Sequence, residues 1–251
     1  RWLGWTAIVP VAFLLVFLAY PLGRLVSTVL DVDGPAGFAR QLQSPALWRL
    51  GALAAGQALV STALALAVGL PIANVVSRYR FRGRALVQAL VTVPFVLPTV
   101  VVALALRSLL GGAVPQGLLL VVLAHAYVNL AVVVRIVGAQ WAQHDGSLEI
   151  VARTLGASRA RAFVDVTWPA LRPAIGSTAA VVFVFCFTSL GIVLVLGDPS
   201  TRTLESQILR QTSVLLDFPG AAATALVQLL VVSTVLLLGL RAGRRTPARR
   251  V

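Results

Sequence analysis

The sequence contains no lysine. A phosphate-binding loop of the G-x-x-x-x-G-K-[ST] type needs that lysine to reach the phosphates, so the chain carries no nucleotide-hydrolysing loop of this kind. Its single cysteine, Cys186, excludes an internal disulfide and a multi-cysteine metal site. The two histidines, His125 and His144, fall in an apolar run and in a polar segment, and do not read as a shared ligand pair. No metal-ligating spacing and no nucleophile–base pattern is found, so no catalytic or metal residue is assigned. Methionine is absent even at position 1, which leads us to expect a segment of a longer chain or a processed product. Trp2–Gly23 is too long an uncharged run to read as a cleavable signal peptide.

What is present is apolar. Hydrophobic residues make up 59% and charged residues 12% of the chain, and mean hydropathy is +0.93. Six uncharged runs stand out: Trp2–Gly23, Leu50–Ser77, Ala85–Leu106, Gly117–Val134 (its helix continuing to about 137), Ala174–Leu196 and Phe218–Leu240. Each approximates the ~20 residues that a spanning helix needs. The expectation is an all-α polytopic membrane protein, one transmembrane domain over residues 1–251 with six transmembrane helices. Pro10, Pro71, Pro94 and Pro98 predict kinks or local unwinding, which bundled membrane helices tolerate. None of the eight carboxylates lies in a run.

The net charge of +13 would suggest nucleic acid in a soluble protein. Here the arginines flank apolar runs, so topology and lipid headgroups explain them and no nucleic-acid partner is expected. Fifteen of the 21 arginines fall on one side: Arg1, Arg78 to Arg84, Arg135, Arg153, Arg159, Arg161, Arg172 and the tail from Arg241 to Arg250. Arg24, Arg40, Arg49, Arg107, Arg202 and Arg210 fall on the other. The positive-inside rule then puts both termini in the cytoplasm. On the outer side, Gly23–Trp48 reads as a loop turning at Asp33-Gly34-Pro35. Gly197–Asp217 reads as an amphipathic helix, with Leu204, Ile208, Gln211 and Leu215 at helical spacing. Within it Glu205, Gln207 and Gln211 face either a substrate or partner, or only solvent.

The longest polar interruption is Asp145–Pro173, within a predicted cytoplasmic loop over 138–173. Ser147 is expected to cap a short helix bearing Leu148, Val151, Ala152 and Leu155 on one face, with Glu149 paired to Arg153. Gly156 breaks it, and Ser158 caps a second helix with Ala160, Phe163, Val164 and Thr167 on one side and Arg161 paired to Asp165. That helix is expected to end at Trp168, before Pro169. Exposed apolar faces on so organised a loop call for a partner surface.

Polar groups inside the runs are few. His125, Tyr127 and Asn129 form the one dense group, and His125 and Asn129 share a helix face. They line a translocation path or make an interhelical hydrogen bond. Thr188 and Ser189, with Gly191 nearby, contact substrate or permit close helix packing. Cys186, between Phe185 and Phe187, reads as packed apolar surface.

The order Leu155-Gly156-Ala157-Ser158, then Phe163, Pro169 and Pro173, resembles the cytoplasmic EAA loop of importer-type ABC transporter permeases. The six runs and the loop between the fourth and fifth extend the likeness over essentially the whole chain. It departs at Ile150, where the family's glutamate usually stands six residues before the glycine (Glu149 is adjacent), and at Val151 in place of an alanine. Leu123–Arg135 and Phe187–Gln211 are similar to the subgroup serving thiamine and ferric iron, whose members often fuse two such halves in one chain. The resemblance implies a permease of the cell inner membrane that works by alternating access. Glu149, Ala152, Leu155, Gly156, Ala157, Ser158, Phe163, Pro169 and Pro173 would then form the coupling element for an ABC ATPase dimer. It also implies a second permease half or subunit and an extracytoplasmic binding protein; ATP is used by the partner, and this chain binds no cofactor.

Three other readings compete with this one. A proton- or ion-coupled secondary transporter needs an ionisable group at membrane depth, for which only His125 qualifies. A membrane enzyme lacks its constellation of residues. A structural subunit of a membrane complex would explain the helices but not the organised loop.

Overall fold

The computed structural model describes residues 2–110, 112–143 and 146–243, without the side chains of 2–7, 31–33 and 37. His144, Asp145 and the tail arginines from Arg244 onward lie outside the described residues. Within them the chain is all-helical: α1 (Trp2–Leu14), α2 (Tyr20–Leu42), α3 (Pro45–Arg78), α4 (Arg84–Val96), α5 (Thr99–Leu110), α6 (Leu118–Gln143), α7 (Ser147–Thr154), α8 (Arg159–Ala162), α9 (Trp168–Phe187), α10 (Gly191–Leu196), α11 (Leu204–Arg210) and α12 (Phe218–Gly243). Wide π turns at Leu15–Ala19, Phe163–Thr167 and Gln211–Leu215 join α1 to α2, join α8 to α9 and extend α11. Five helices are long and apolar enough to cross a membrane, or six if α4 and α5, bent by 114° at a short break, form one span. The protein is therefore a multi-pass membrane protein.

Proline chemistry sets most departures from straight spans. Pro98 has no N–H and pushes Leu97 to extended backbone (ψ 148°), so the expected run 85–106 is two helices rather than one. Pro10, Pro71, Pro94 and Pro173 stay inside helices. The π turns at Leu15–Ala19 and Phe163–Thr167 end just before Pro21 and Pro169, each in the first turn of the next helix. Each turn closes on a five-residue bond, Tyr20 N–H to Leu15 O and Trp168 N–H to Phe163 O. The wider ring carries the helix past a residue that cannot donate.

The chain divides into two compact units, Arg1–Gly51 with Leu204–Val231 and Ala52–Thr203 with Val232–Val251. In the first, Val29, Ala222 and Ala223 form a core with Leu25, Phe38 and Leu226 around it. The expected outer loop from Gly23 to Trp48 is instead mostly helical. Inside α2 Gly34 leaves helical geometry (φ 61°, ψ −169°), a kink that its missing Cβ permits at the predicted Asp33-Gly34-Pro35 turn, and the chain breaks again at Gln43–Ser44 before α3. The amphipathic helix of 197–217 is confined to α11 and its π turn. Two of its polar residues, Glu205 and Gln211, pack against α12: Gln228 Nε2 donates to Glu205 Oε1 at 2.5 Å and Thr224 Oγ1 to Gln211 Oε1 at 3.1 Å. Asp217 caps α12 by accepting from Gly220 N–H at 2.9 Å.

In the second unit α6 is the centre: 72% of its apolar window is buried, against 39% or less for the other spans. The run 174–196 is broken. Thr188 folds its hydroxyl back onto Val184 O at 2.8 Å, and α10 sets off anew at Gly191. A Cβ on Gly191 would lie 2.7 Å from Thr99 Oγ1, so glycine lets α10 lie against the start of α5. Those two half-helices pack with α6 through Val102, Leu120, Val121, Ala124, Ile192 and Leu196. Close approach recurs where α3 crosses α6, since a Cβ on Gly69 would meet Val133 Cγ1 at 2.7 Å.

Gly69→Val is expected to destabilise the detergent-solubilised protein by about 1–3 kcal/mol through overpacking against Val133. Gly56→Ala, with nothing within 4 Å of the added Cβ, is expected to stay within about 0.5 kcal/mol of wild type. Thermal melting of both variants checks the α3–α6 contact.

Candidate functional site

The α7–α8 element forms as its sequence dictates, with two local corrections. Ile150 N–H already bonds Gly146 O at 3.0 Å, so Gly146 holds the cap position and Ser147 is the first helical residue. Gly156 ends α7 in left-handed geometry (φ 93°), and the closing bonds run from Gly156 N–H to Arg153 O (3.1 Å) and from Ala157 N–H to Ala152 O (3.0 Å). Ser158 caps α8 as expected, accepting from Arg161 N–H at 3.2 Å, and Arg161 lies 3.9 Å from Asp165. The second correction is that the helix does not stop at Trp168. Through the π turn, α8 runs into α9 as one helical segment, Arg159–Phe187, with Pro169 exposed in its first α9 turn and Pro173 half-buried inside it.

The α7 face points outward. Leu148 (54%), Ile150 (62%), Val151 (51%) and above all Leu155 (84%) are exposed, with Ala152 and Ala157 half-buried. Covering such side chains stabilises an assembly by about 2 kcal/mol each. The second face is corrected at two positions. Ala160 and Val164 point outward, but Thr167 is fully buried and Phe163 tilts against Trp141, ring centroids 6.3 Å apart.

Charge fixes the inner side. Glu149 pairs with Arg78 at the end of α3, at 2.5 Å, rather than with its helical neighbour Arg153. Its Oε2 also accepts from Thr167 Oγ1 at 3.2 Å, and the Arg78 guanidinium lies 6.0 Å from the Trp141 ring centre on α6. The hydrogen bond from Arg78, aided by Thr167, holds the Glu149 carboxyl below the usual glutamate range against a weaker opposing effect of burial. One carboxylate thus ties α7 to the end of α3 and to the entry of α9. Arg78 and Trp141 carried no sequence signal, because their partners lie 71 and 22 positions away along the chain. The element presents an apolar surface on a braced base; it contains no reactive centre.

The polar residues of the spans form a second cluster. Gln57 Nε2 donates to Cys186 O at 2.9 Å, which turns its Oε1 toward His125 Nδ1 at 3.0 Å and makes that nitrogen the donor. Asn129 Nδ2 donates to His125 O (2.9 Å) and approaches Cys186 Sγ (3.5 Å). His125 and Asn129 are buried, and His125 Nε2 and Asn129 Oδ1 have no protein partner. The structure therefore joins α3, α6 and α9 through these groups, and Gln57, a glutamine inside an apolar run, was the legible signal that sequence reasoning passed over. Thr188 and Ser189 are half-buried at the α9–α10 break. Beyond it, Asp198 Oδ1 accepts from Ser200 N–H and Oγ and from Thr201 N–H and Oγ1 at 2.6–3.0 Å, chiefly the Ser200 hydroxyl holding its carboxyl low.

Residues 61–245 match the family described as binding-protein-dependent transport system inner membrane component. A thiamine transport system permease protein of Brucella abortus is 31% identical over 235 residues, covering 86% of this chain and 43% of that protein. The chain thus spans less than half the length of that curated relative. A probable molybdenum ABC transporter permease protein of Haloferax volcanii is 33% identical over 216 residues, 82% of this chain and 78% of the relative. Among solved structures, a subunit of a bacterial alginate ABC transporter, crystallised with its alginate-bound periplasmic protein, superposes with TM-score 0.76 at 17% identity, covering 100% of this chain and 96% of that one. That likeness concerns the fold.

Glu149→Gln and Arg78→Gln are each expected to lower stability by about 1 kcal/mol, and the swap Arg78→Glu with Glu149→Arg to recover part of the loss. Because the folded carboxyl titrates below its unfolded value of about 4.3, the tie is complete above that pH and lost as pH falls through the depressed value. Melting curves of wild type and Glu149→Gln should therefore differ at pH 7 and converge as the pH falls through the depressed value of the folded carboxyl.

Proposed function

We propose, because the chain belongs to the family of binding-protein-dependent transport system inner membrane components, that it is the permease subunit of an ATP-driven importer. In this reading it carries a small solute through the membrane by alternating access. The observation that carries the proposal is the outward apolar face of α7, from Leu148 to Leu155, on an element braced by Glu149 and continuous with a span. An exposed Leu155 on a well-ordered turn calls for a cleft to fill, and an ATPase subunit supplies one.

The mechanical argument follows from length. Arg159–Phe187 has 29 residues, about 44 Å at 1.5 Å per residue, so α8, which follows α7 across the Gly156–Ser158 turn, enters the membrane as part of the span with no non-helical joint of its own. Closure of an ATPase pair on α7–α8 would then rotate the span itself, whereas a flexible linker would absorb the motion. The arginine distribution supports a cytoplasmic position for α7–α8 and for both termini, since Arg78, Arg80, Arg82, Arg84 and Arg153 to Arg172 cluster there. The partners in this reading are an ATPase dimer, a second permease half and an external binding protein that delivers the solute. The thiamine permease relative supports thiamine as that solute, and the subgroup likeness adds ferric iron. The molybdenum-type relative supports an oxyanion with equal weight, so the substrate we propose is a small charged solute.

The test is disulfide or bifunctional cross-linking from cysteines at Leu155 and Ala160 in membranes holding the assembled transporter. Both positions should capture an ATPase subunit; capture by neither would overturn the docking role. Gly156→Pro, which forces proline onto a φ of 93°, should leave membrane insertion intact while ATP hydrolysis loses its dependence on loaded binding protein. Full uptake by that variant would count against coupling through α7–α8.

A further inference from the structure

Between α3, α4 and α6 lies a cavity of about 480 Å³ that the coupling element does not use. Ala73, Val76 and Ser77 line it from α3, Arg84, Gln88 and Thr92 from α4, and Arg135, Gly138 and Ala142 from α6. Its lining holds two guanidinium groups and no carboxylate. Among the described residues neither Arg84 nor Arg135 takes part in an ion pair such as Arg78–Glu149 or Arg161–Asp165. Arg84 Nε is buried without a hydrogen-bond partner. The described carboxylate next along the loop, Glu149, is already taken by Arg78 and Thr167. Ser77 spends its hydroxyl on Asn74 O at 3.3 Å, which leaves the Gln88 amide and the Thr92 hydroxyl as neutral donors of the lining.

Two unpaired cations at one cavity are unfavourable unless water or an anion answers them. Arg135 stands eight residues before the end of α6 at Gln143, about 12 Å along the axis, as an exposed cation at the rim of the cavity, whereas Arg84 is half-buried. A phosphate-like group is the complement: several acceptor oxygens, net negative charge, and the planar fork of an arginine on either side. Ala73 and Gly138, whose close approach leaves no bulk between α3 and α6, form a smooth apolar wall beside the two cations. Basic pockets between spanning helices at the arginine-rich side of a membrane bind acidic headgroups by this chemistry.

We infer that the cavity between α3, α4 and α6 is an anion site in which Arg84 and Arg135 hold a tetrahedral oxyanion, supplied either by an acidic phospholipid headgroup or by a free oxyanion. The site stands apart from the α7–α8 coupling surface, and its existence does not depend on the ATPase reading.

The test uses the full-length purified transporter, stripped of lipid in a neutral detergent. Phosphatidylglycerol, phosphatidylcholine, inorganic phosphate and molybdate are the probes, and saturable thermal stabilisation together with retained lipid by native mass spectrometry are the readouts. Arg84→Gln with Arg135→Gln should weaken anion binding about thirtyfold, each charge contributing about a factor of five. Arg80→Gln with Arg82→Gln removes the same charge outside the lining and should leave the affinity unchanged. Stabilisation by phosphatidylglycerol that phosphate and molybdate fail to displace identifies a headgroup site. Displacement by either ion identifies a free-oxyanion site, and both results uphold the inference. Absence of saturable binding, or equal loss in the two double variants, overturns it. Should the first double variant not fold, Thr92→Glu, which brings a carboxylate to the cavity, must abolish the binding on its own, and binding retained there overturns the inference equally.

Discussion

A single carboxylate bears the arrangement of the proposed coupling element. Glu149 is held by Arg78 from the end of α3 and by Thr167 from the entry of α9, while Trp141 of α6 lies beside the guanidinium. Without that tie, α7 would be an eight-residue helix joined to its neighbours by a glycine on one side and a short polar segment on the other. Helices that short are not stable alone, so its shape must come from tertiary contacts. The pair is modest in energy. Its consequence is positional: the inward side of α7 is fixed by charge, and the apolar side is left facing out.

The family likeness had put a glutamate at Ile150, and the structure explains how the chain works around that departure. Ile150 is exposed among the apolar residues of the outer face, and the adjacent Glu149 points to the opposite side of the helix, into the base. A shift of one position on a helix turns a side chain by about 100°, enough to exchange an outward contact for an inward brace. At this position the chain presents apolar surface, and the acidic group stays within the chain. In the proposed importer, the α7 surface would then be recognised by shape and burial more than by charge.

Much of this was legible in the sequence where the signal is local. Uncharged runs of spanning length, the left-handed Gly156, the Ser158 cap and the break at Pro98 all follow from residues and their immediate neighbours. Distant pairings were not legible. Arg78 looked like one more topology arginine, and nothing near Phe163 announced Trp141. The break at Thr188 escaped because nothing in the run 174–196 is a strong helix breaker; its cause is tertiary, the fit of Gly191 against Thr99. The expected stop at Trp168 failed for a related reason. Proline ends a helix only when its missing donor is left without relief, and the π turn at Phe163–Thr167 provides that relief. His125, Asn129 and Gln57 were recognisable as polar intruders, yet their hydrogen-bonded union with Cys186 needed three helices in place.

The central claim is that the α8 end of the coupling element and the span move as one body, and a distance along that body tests it. Spin labels at Arg159 and Val181, both on the Arg159–Phe187 segment, should lie roughly 30 Å apart. Cys186 is buried, which limits background labelling. Pulsed electron–electron resonance on the assembled transporter, nucleotide-free and trapped with ATP, should give the same narrow distance in both states. A shift of several ångströms or a broadened distribution on ATP binding would place a joint inside the lever and contradict the account.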